Sequence, residues 1–137
     1  MKKYKFLPHT ADAKFQAYGK TLEEAFINAA YAMTDTITDH TKIKPAVEKV
    51  INIESENNEA MLYDFLEQFL ILLDSEGFLL NKVKKLEIKG NKLTAKFTGD
   101  TNPDEYDIET HIKAVTYQEM FIKKEKGQYV IQVIVDL

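Results

Sequence analysis

The sequence predicts a single α+β domain over residues 1–137, with mixed, mostly antiparallel sheets and two main helices. Two stretches of helical length have apolar residues at spacings of three and four. Short runs rich in β-branched and aromatic residues lie before, between and after these stretches. Gly90-Asn91 makes a hairpin turn between two of the runs, which favours antiparallel pairing.

Eight short runs have strand character, because they alternate apolar and polar residues or are rich in Val, Ile, Phe and Tyr. Gly19 ends the second run, and Lys126-Gly127 makes the turn before the last. The last run is apolar on both faces, which is typical of an interior strand. The run before it changes phase near Gln118-Glu119, which predicts a β-bulge. The predicted strands cover residues 3–7, 13–18, 47–55, 78–80, 83–89, 93–98, 114–123 and 129–136.

The first predicted helix begins after Thr21 and runs to about Thr36. Thr21 and Glu24 have the spacing of a capping box, in which the two side chains bind backbone NH groups of the first turn. Asp35 and Asp39 lie near the other end, where the helix dipole disfavours carboxylates. We interpret both as solvent-exposed residues rather than as ligands of a cation.

The second predicted helix has Asn58 as its N-cap and ends at Gly77. It is the more apolar of the two helices, so we predict that it is the central one. We interpret its Leu and Phe stripe as core rather than as a cofactor site. The stripe consists of Leu62, Phe65, Leu66, Phe69, Leu70 and Leu73.

The composition excludes several classes of protein. The absence of cysteine excludes disulfides, thiolate zinc sites and cysteine nucleophiles, and it fits a reducing compartment. We see no signal peptide and no apolar run of the roughly 18 residues that a membrane span needs. The sequence therefore predicts a cytoplasmic protein without membrane contact. The net charge of −4 argues against direct binding to RNA phosphates.

Two charged segments are interpreted without a ligand. The lysines of residues 82–96 have strand spacing, so we predict the solvated face of a hairpin rather than an RNA-binding patch. Residues 99–107 begin with the spacings of an EF-hand loop. Glu105 stands where that loop needs Gly, however, and His111 stands where it needs a bidentate Glu. We therefore predict only a solvated acidic loop.

A short loop after the first strand contains one imidazole and one carboxylate, His9 and Asp12. Pro8 supports the loop, because it donates no backbone hydrogen bond and favours extended geometry in the residue before it. Loops on a rigid scaffold often carry binding residues. Taken alone, the pair fits an Asp-capped turn at least as well as a site.

Three segments together resemble the archease family. The first is His-Thr-Ala-Asp at residues 9–12, followed by residues 17–26. The second is Ile-Lys-Ala-Val-Thr-Tyr at residues 112–117, and the third is the apolar run 133–137 with its penultimate Asp. Their order and the chain length also match the family. Gln118 departs from it, because the family usually has His after the second segment, and we assign Gln118 no role.

The resemblance implies a compact fold with a strand-helix-strand-strand module. It also implies an accessory protein, not itself an enzyme, for the RtcB-type RNA ligase that joins tRNA halves after intron removal. Archease-like proteins promote guanylylation of the ligase histidine, allow multiple turnover and broaden nucleotide use. RNA would be met only through the ligase.

The family also carries a metal site, seen with calcium. It maps here onto Asp12, Asp136 and the terminal carboxylate of Leu137. Three carboxylates are hard oxygen ligands that suit Ca²⁺, with Mg²⁺ or Mn²⁺ as alternatives. Three roles are open for His9: it orients Asp12, it contacts the ligase, or it only packs against neighbouring residues.

Two other functions stay open from the sequence. One is a small metal-dependent phosphoester hydrolase that uses His9, Asp12 and Asp136, although no nucleophile is evident. The other is a chaperone-like or RNA-binding modulator of another tRNA enzyme, against which the acidic charge weighs.

Overall fold

The computed structural model describes residues 2–9 and 11–137, so Met1 and Thr10 lie outside the described residues. The described chain forms two antiparallel sheets and two helices, which confirms the predicted α+β class. Single 3-10 turns cover His40–Lys42 and Pro103–Glu105. The elements are β1 (Tyr4–Leu7), β2 (Asp12–Gly19), α1 (Leu22–Ile37), β3 (Val47–Glu54), α2 (Asn58–Glu76), β4 (Leu79–Lys89), β5 (Lys92–Asp100), β6 (Ala114–Val115), β7 (Phe121–Glu125) and β8 (Gln128–Asp136).

The strands divide into two sheets. Sheet A has the order β1-β2-β8-β6, and β7 pairs with β8 as well. Sheet B has the order β3-β5-β4. The interior position predicted for the last strand is confirmed, because β8 pairs with β2 along one edge and with β6 and β7 along the other.

The prediction of one bulged strand over residues 114–123 is wrong. The segment forms two short strands, β6 and β7, which a turn at Gln118-Glu119 separates. Both strands pair antiparallel with the same edge of β8, with a register shift between them. The phase change therefore marks an interruption of the strand at the predicted position, where Glu119 has φ +53°.

The central helix is α1, not α2 as predicted from the apolar stripe of α2. α1 packs against β2 and β8 of sheet A and against β4 of sheet B. Both helices contact both sheets, but α1 is the more deeply buried, with ten buried residues against five in α2. Small side chains on several faces let α1 approach the sheets closely. Four alanines of α1 are fully buried: Ala25, Ala29, Ala30 and Ala32.

The helix ends follow the predictions with two corrections. Thr21 Oγ1 accepts a hydrogen bond from the Glu24 NH at 3.1 Å, but Glu24 Oε1 accepts the Lys20 NH at 3.3 Å rather than the Thr21 NH, so only half of the capping box forms. Gly77 ends α2 with φ +68°. The N-cap of α2 is Asn57 rather than Asn58, because Asn57 Oδ1 accepts the Ala60 NH at 2.8 Å. Both asparagines have the right chemistry, and one-residue errors at helix ends are inherent in local patterns.

The hairpin formed by β4 and β5 is longer and more buried at one end than predicted. The two strands predicted at 78–80 and 83–89 form one strand, β4, which begins at Leu79, leaves Phe78 outside and contains register shifts. The lysines of β4 and β5 are solvent-exposed, as predicted. The solvated loop predicted from Gly99 onward is wrong at its start, because Gly99 and Asp100 belong to β5.

Asp100 is a structural carboxylate. Only 2% of the residue is exposed, and it accepts hydrogen bonds from the Tyr106 hydroxyl at 2.6 Å and the Thr101 NH at 2.8 Å. The Tyr106 hydrogen bond holds the pKa of Asp100 below its ordinary value. Asp100, which matched the first position of the EF-hand pattern, therefore stabilises the turn after β5 rather than binding calcium.

Candidate functional site

Asp12 and Asp136 face each other at one end of sheet A. In the antiparallel pairing of β2 with β8, Asp12 lies directly opposite Asp136. On the other side of β8, Asp136 lies opposite Ala114 of β6, and its carbonyl accepts the Lys113 NH at 2.7 Å. Directly opposed residues of an antiparallel pair point to the same face, with Cβ atoms about 4.5–5.5 Å apart. The described parts of the three segments that resemble archease therefore meet here.

The two carboxylates lie on the face of sheet A that points away from the helices. Phe15 and Ala17 are fully buried in the core, so the alternate residues of β2 point the other way. We call this the outer face of sheet A; it carries Asp12, Lys14 and Gln16 from β2. Asp136 is exposed and Asp12 is half-buried on it.

His9 connects Asp12 to the turn between β6 and β7. Its Nδ1 contacts the Asp12 carboxylate, and its Nε2 lies 3.5 Å from Glu119 Oε2. Lys14 Nζ donates to Glu119 Oε1 at 2.9 Å, which lowers the pKa of Glu119 below its ordinary value. Of the three roles considered for His9, the geometry thus shows contact with Asp12. Lys14 and Glu119 were missed, because their sequence separation gives no local signal.

Two strained backbone positions flank the pair of carboxylates. Ala11, next to Asp12, has φ +63°, and Glu119 has φ +53°. Non-glycine residues rarely adopt this left-handed region, and such strain is concentrated at functional sites. Thr10, which belongs to the first segment, lies outside the described residues.

Leu137 is the third predicted ligand, and Gln118 is the position that departs from the family. Leu137 follows Asp136, and its side chain packs against the core, which anchors the end of β8. Gln118 is exposed, and its backbone NH donates to Thr116 Oγ1 at 3.3 Å. Nothing in its contacts assigns it a role.

The donor set fits a hard divalent cation. Asp12 and Asp136 are like charges directly opposite one another, an arrangement that destabilises a sheet unless something compensates it. Carboxylate oxygens are the ligands that Ca²⁺, Mg²⁺ and Mn²⁺ prefer. His9 contacts the Asp12 carboxylate and orients it, whereas it makes no contact with Asp136 among the described hydrogen bonds.

A second group of titratable side chains closes the C-terminus of α1. Ligand atoms of Asp35, Asp39 and His40 lie within 4.8 Å of one another. Asp35 Oδ1 accepts hydrogen bonds from His40 Nδ1 at 2.7 Å and from the His40 NH at 3.0 Å. The Tyr4 hydroxyl also donates to Asp35, and the His40 ring stacks on Tyr31 with centroids 4.4 Å apart. These contacts tie β1 and the 3-10 turn to α1.

The prediction of solvent exposure is therefore confirmed for Asp39 and wrong for Asp35. Only 21% of the Asp35 side chain is exposed. The local pattern contained a signal for this, because a carboxylate at the negative end of a helix with no basic residue in the last turn needs donors from elsewhere.

Asp35→Asn should destabilise the protein at neutral pH and much less in acid. Burial raises the pKa of Asp35, but hydrogen bonds from His40 and Tyr4 outweigh it and lower the pKa below its ordinary value. A depressed pKa stabilises the folded state above the unfolded-state pKa, about 3.9, and this contribution is lost as the pH falls through the folded-state pKa. We expect a loss of roughly 1–2 kcal/mol at neutral pH. Urea unfolding across the acid range measures it, with the exposed Asp107→Asn as control. An equal loss at every pH would contradict this account.

Comparison with known proteins gives the class first. The sequence profile of the archease protein family matches residues 4–137 of this chain. Protein archease from Thermococcus kodakarensis is 38% identical, and that from Methanothermobacter thermautotrophicus is 39% identical, each over 100% of both chains. The fold and the site thus define a small α+β protein with paired carboxylates at a sheet end. The chain belongs to the archease family.

Solved structures agree with this membership. The solution structure of Methanobacterium thermoautotrophicum protein 1598 is similar with a TM-score of 0.84 and 37% identity, covering 100% of each chain. A crystal structure of a Thermotoga maritima archease, described as a possible chaperone, has a TM-score of 0.68 at 20% identity and covers 96% of this chain and 94% of that one. The second likeness shows the fold alone. No helix in the described part of the chain is long and apolar enough to cross a membrane.

Proposed function

We propose that this protein activates an RtcB-type tRNA-splicing RNA ligase in the cytoplasm, by promoting guanylylation of the ligase and its repeated turnover. Membership of the archease family over the whole chain supports this proposal. The single structural observation behind it is the pairing of Asp12 with Asp136, which brings the family's separate segments to one sheet end. RNA would be met through the ligase, since the net charge of −4 disfavours direct phosphate binding.

We also propose that Asp12, Asp136 and the terminal carboxylate of Leu137 hold a divalent cation, with calcium as the first choice and magnesium or manganese as alternatives. His9 holds the Asp12 carboxylate in place, and the core contact of Leu137 positions the chain end. A cation bound here would supply positive charge that can neutralise phosphate oxygens during nucleotide transfer.

A binding role is better supported than hydrolysis. In the part of the chain that the structure describes, the hydrogen-bond partners of His9 and His40 are carboxylates rather than Ser or Thr hydroxyls. A covalent mechanism would require such a hydroxyl next to a base. The hydrolase alternative would therefore have to use a water molecule activated by a bound cation as its nucleophile.

The test is guanylylation of an RtcB-type ligase from the same source, with this protein absent or present in substoichiometric amounts. A second sample carries residues added beyond Leu137. Stimulation that the extension abolishes supports both the activation and the terminal carboxylate as a ligand. Stimulation that persists with the extension supports ligase activation but excludes the terminal carboxylate of Leu137 as a required ligand. No stimulation by the unmodified protein overturns the proposed function, and phosphoester turnover by the protein alone would instead favour the hydrolase.

A further inference from the structure

An aromatic ring lies exposed where β6 leads into the next turn. Tyr117 is 54% exposed, and its ring stacks on Tyr63 of α2 with centroids 4.5 Å apart and an angle of 7° between the planes. The stack joins two elements, so the position of the Tyr117 ring is fixed although much of its surface meets solvent. A tyrosine ring held in this way presents a fixed aromatic face on which a partner group can stack.

Carboxylates surround this tyrosine pair. A cavity of about 400 Å³ beside Tyr117 is lined by Glu54, Glu56 and Asp64, and no lysine contributes to its lining. Among the described residues, these three carboxylates form no ion pair. Burial raises the pKa of Tyr117, and the negative charge of Asp64 raises it further, as expected for a hydroxyl close to carboxylates. The surface is thus aromatic and negative.

We propose that Tyr117, Tyr63, Glu56 and Asp64 form a docking surface for an arginine-bearing segment of a protein partner. A guanidinium group is flat and cationic, so it stacks on an aromatic face and at the same time forms paired hydrogen bonds with a carboxylate. An ammonium group matches only the charge. Nucleic acid is disfavoured, because its phosphates would meet the same carboxylates.

The occupant must come from a different protein. The sequence contains 18 lysines and no arginine. A second copy therefore cannot supply the guanidinium. Tyr117 lies two residues after Val115 of β6, the strand that pairs with Asp136. Tyr117 lies on the helix side of sheet A and the candidate cation site on its outer face, so the two surfaces are separate and the inference does not depend on that site.

The test is a nuclear magnetic resonance titration of the whole protein with hexa-arginine and hexa-lysine peptides. We expect amide shifts concentrated at Ser55, Tyr63, Asp64 and Tyr117, with the arginine peptide binding several-fold tighter than the lysine peptide. Tyr117→Ala and Glu56→Gln should each weaken arginine binding by about tenfold, whereas Tyr117→Phe should preserve it.

Matched controls lie elsewhere on the surface. Phe6→Ala removes another exposed aromatic ring, and Glu48→Gln removes a carboxylate that lysines already pair. Both should bind the arginine peptide like the parent. Equal losses in these controls, or shifts spread over every acidic surface, would overturn the proposal, as would a Tyr117-dependent dimer in sedimentation measurements. The titration contains no ligase, so its failure leaves the activation proposal intact, and the reverse also holds.

Discussion

Asp136→Asn should abolish calcium binding and ligase activation while leaving the apoprotein at least as stable as the parent. Asp12 and Asp136 are like charges directly opposite one another on two strands. Removing one charge from such a pair stabilises a sheet by about 0.2–1 kcal/mol, and asparagine keeps the shape of the side chain. A ligand role and a purely structural role therefore predict changes of opposite sign in apoprotein stability.

The measurement compares urea unfolding with chelator and with calcium. A ligand at 100 times its Kd stabilises a folded protein by about 2.7 kcal/mol, so the parent should gain this amount. Asp136→Asn and Asp12→Asn should gain little, and calorimetry should show affinities reduced at least tenfold. The exposed Asp107→Asn should behave like the parent. Asp136→Asn protein that binds calcium normally, or that unfolds more easily in chelator, would contradict a ligand role.

Features with local signals were predictable from the sequence. Thr21 at the start of α1, Gly77 at the end of α2 and the turn at Gly90 each act through neighbouring residues, and the structure confirms all three. The N-cap of α2 was predicted one residue too late, at Asn58, because the neighbouring Asn57 has the same capping chemistry.

The candidate site was not predictable in this way. Nothing within a few residues of Asp12 indicates that it pairs with Asp136, because the register of β2 on β8 is set by the whole alternation of both strands. Only the family resemblance singled out the two carboxylates. Lys14 and Glu119 complete the arrangement through contacts across 105 positions, for which no pattern exists.

Buried polar residues were the other consistent error. Asp35 and Asp100 were both interpreted as solvated, because Asp is common on surfaces. Asp35 is instead held by the Tyr4 hydroxyl, 31 positions away. Asp100 is held by the Tyr106 hydroxyl, six positions away in the loop after β5. Such partners become visible only when the chain is folded, and the same is true of Tyr63 and Tyr117.

Gly99→Ala should remove a large part of the stability of the protein. Gly99 lies in β5, the central strand of sheet B, opposite Val47 of β3 and Leu80 of β4. A Cβ atom at this position would lie 2.1 Å from the Leu79 carbonyl oxygen and 2.5 Å from the Phe78 ring. Neither neighbour can withdraw easily, because Leu79 belongs to the adjacent strand and Phe78 is buried in the core.

The expected loss is about 3 kcal/mol or more, at the upper end for overpacked cores. Domains of this size are stable by roughly 5–15 kcal/mol, so the variant should unfold at markedly lower urea concentration. Gly90→Ala is the control. Gly90 has φ +61° but no atom within 4 Å of its missing Cβ, so alanine there should destabilise the hairpin by only about 1–2 kcal/mol, from backbone strain. A loss for Gly99→Ala no larger than that for Gly90→Ala would contradict this account. It would mean that β4 can move away from residue 99 at little cost in free energy.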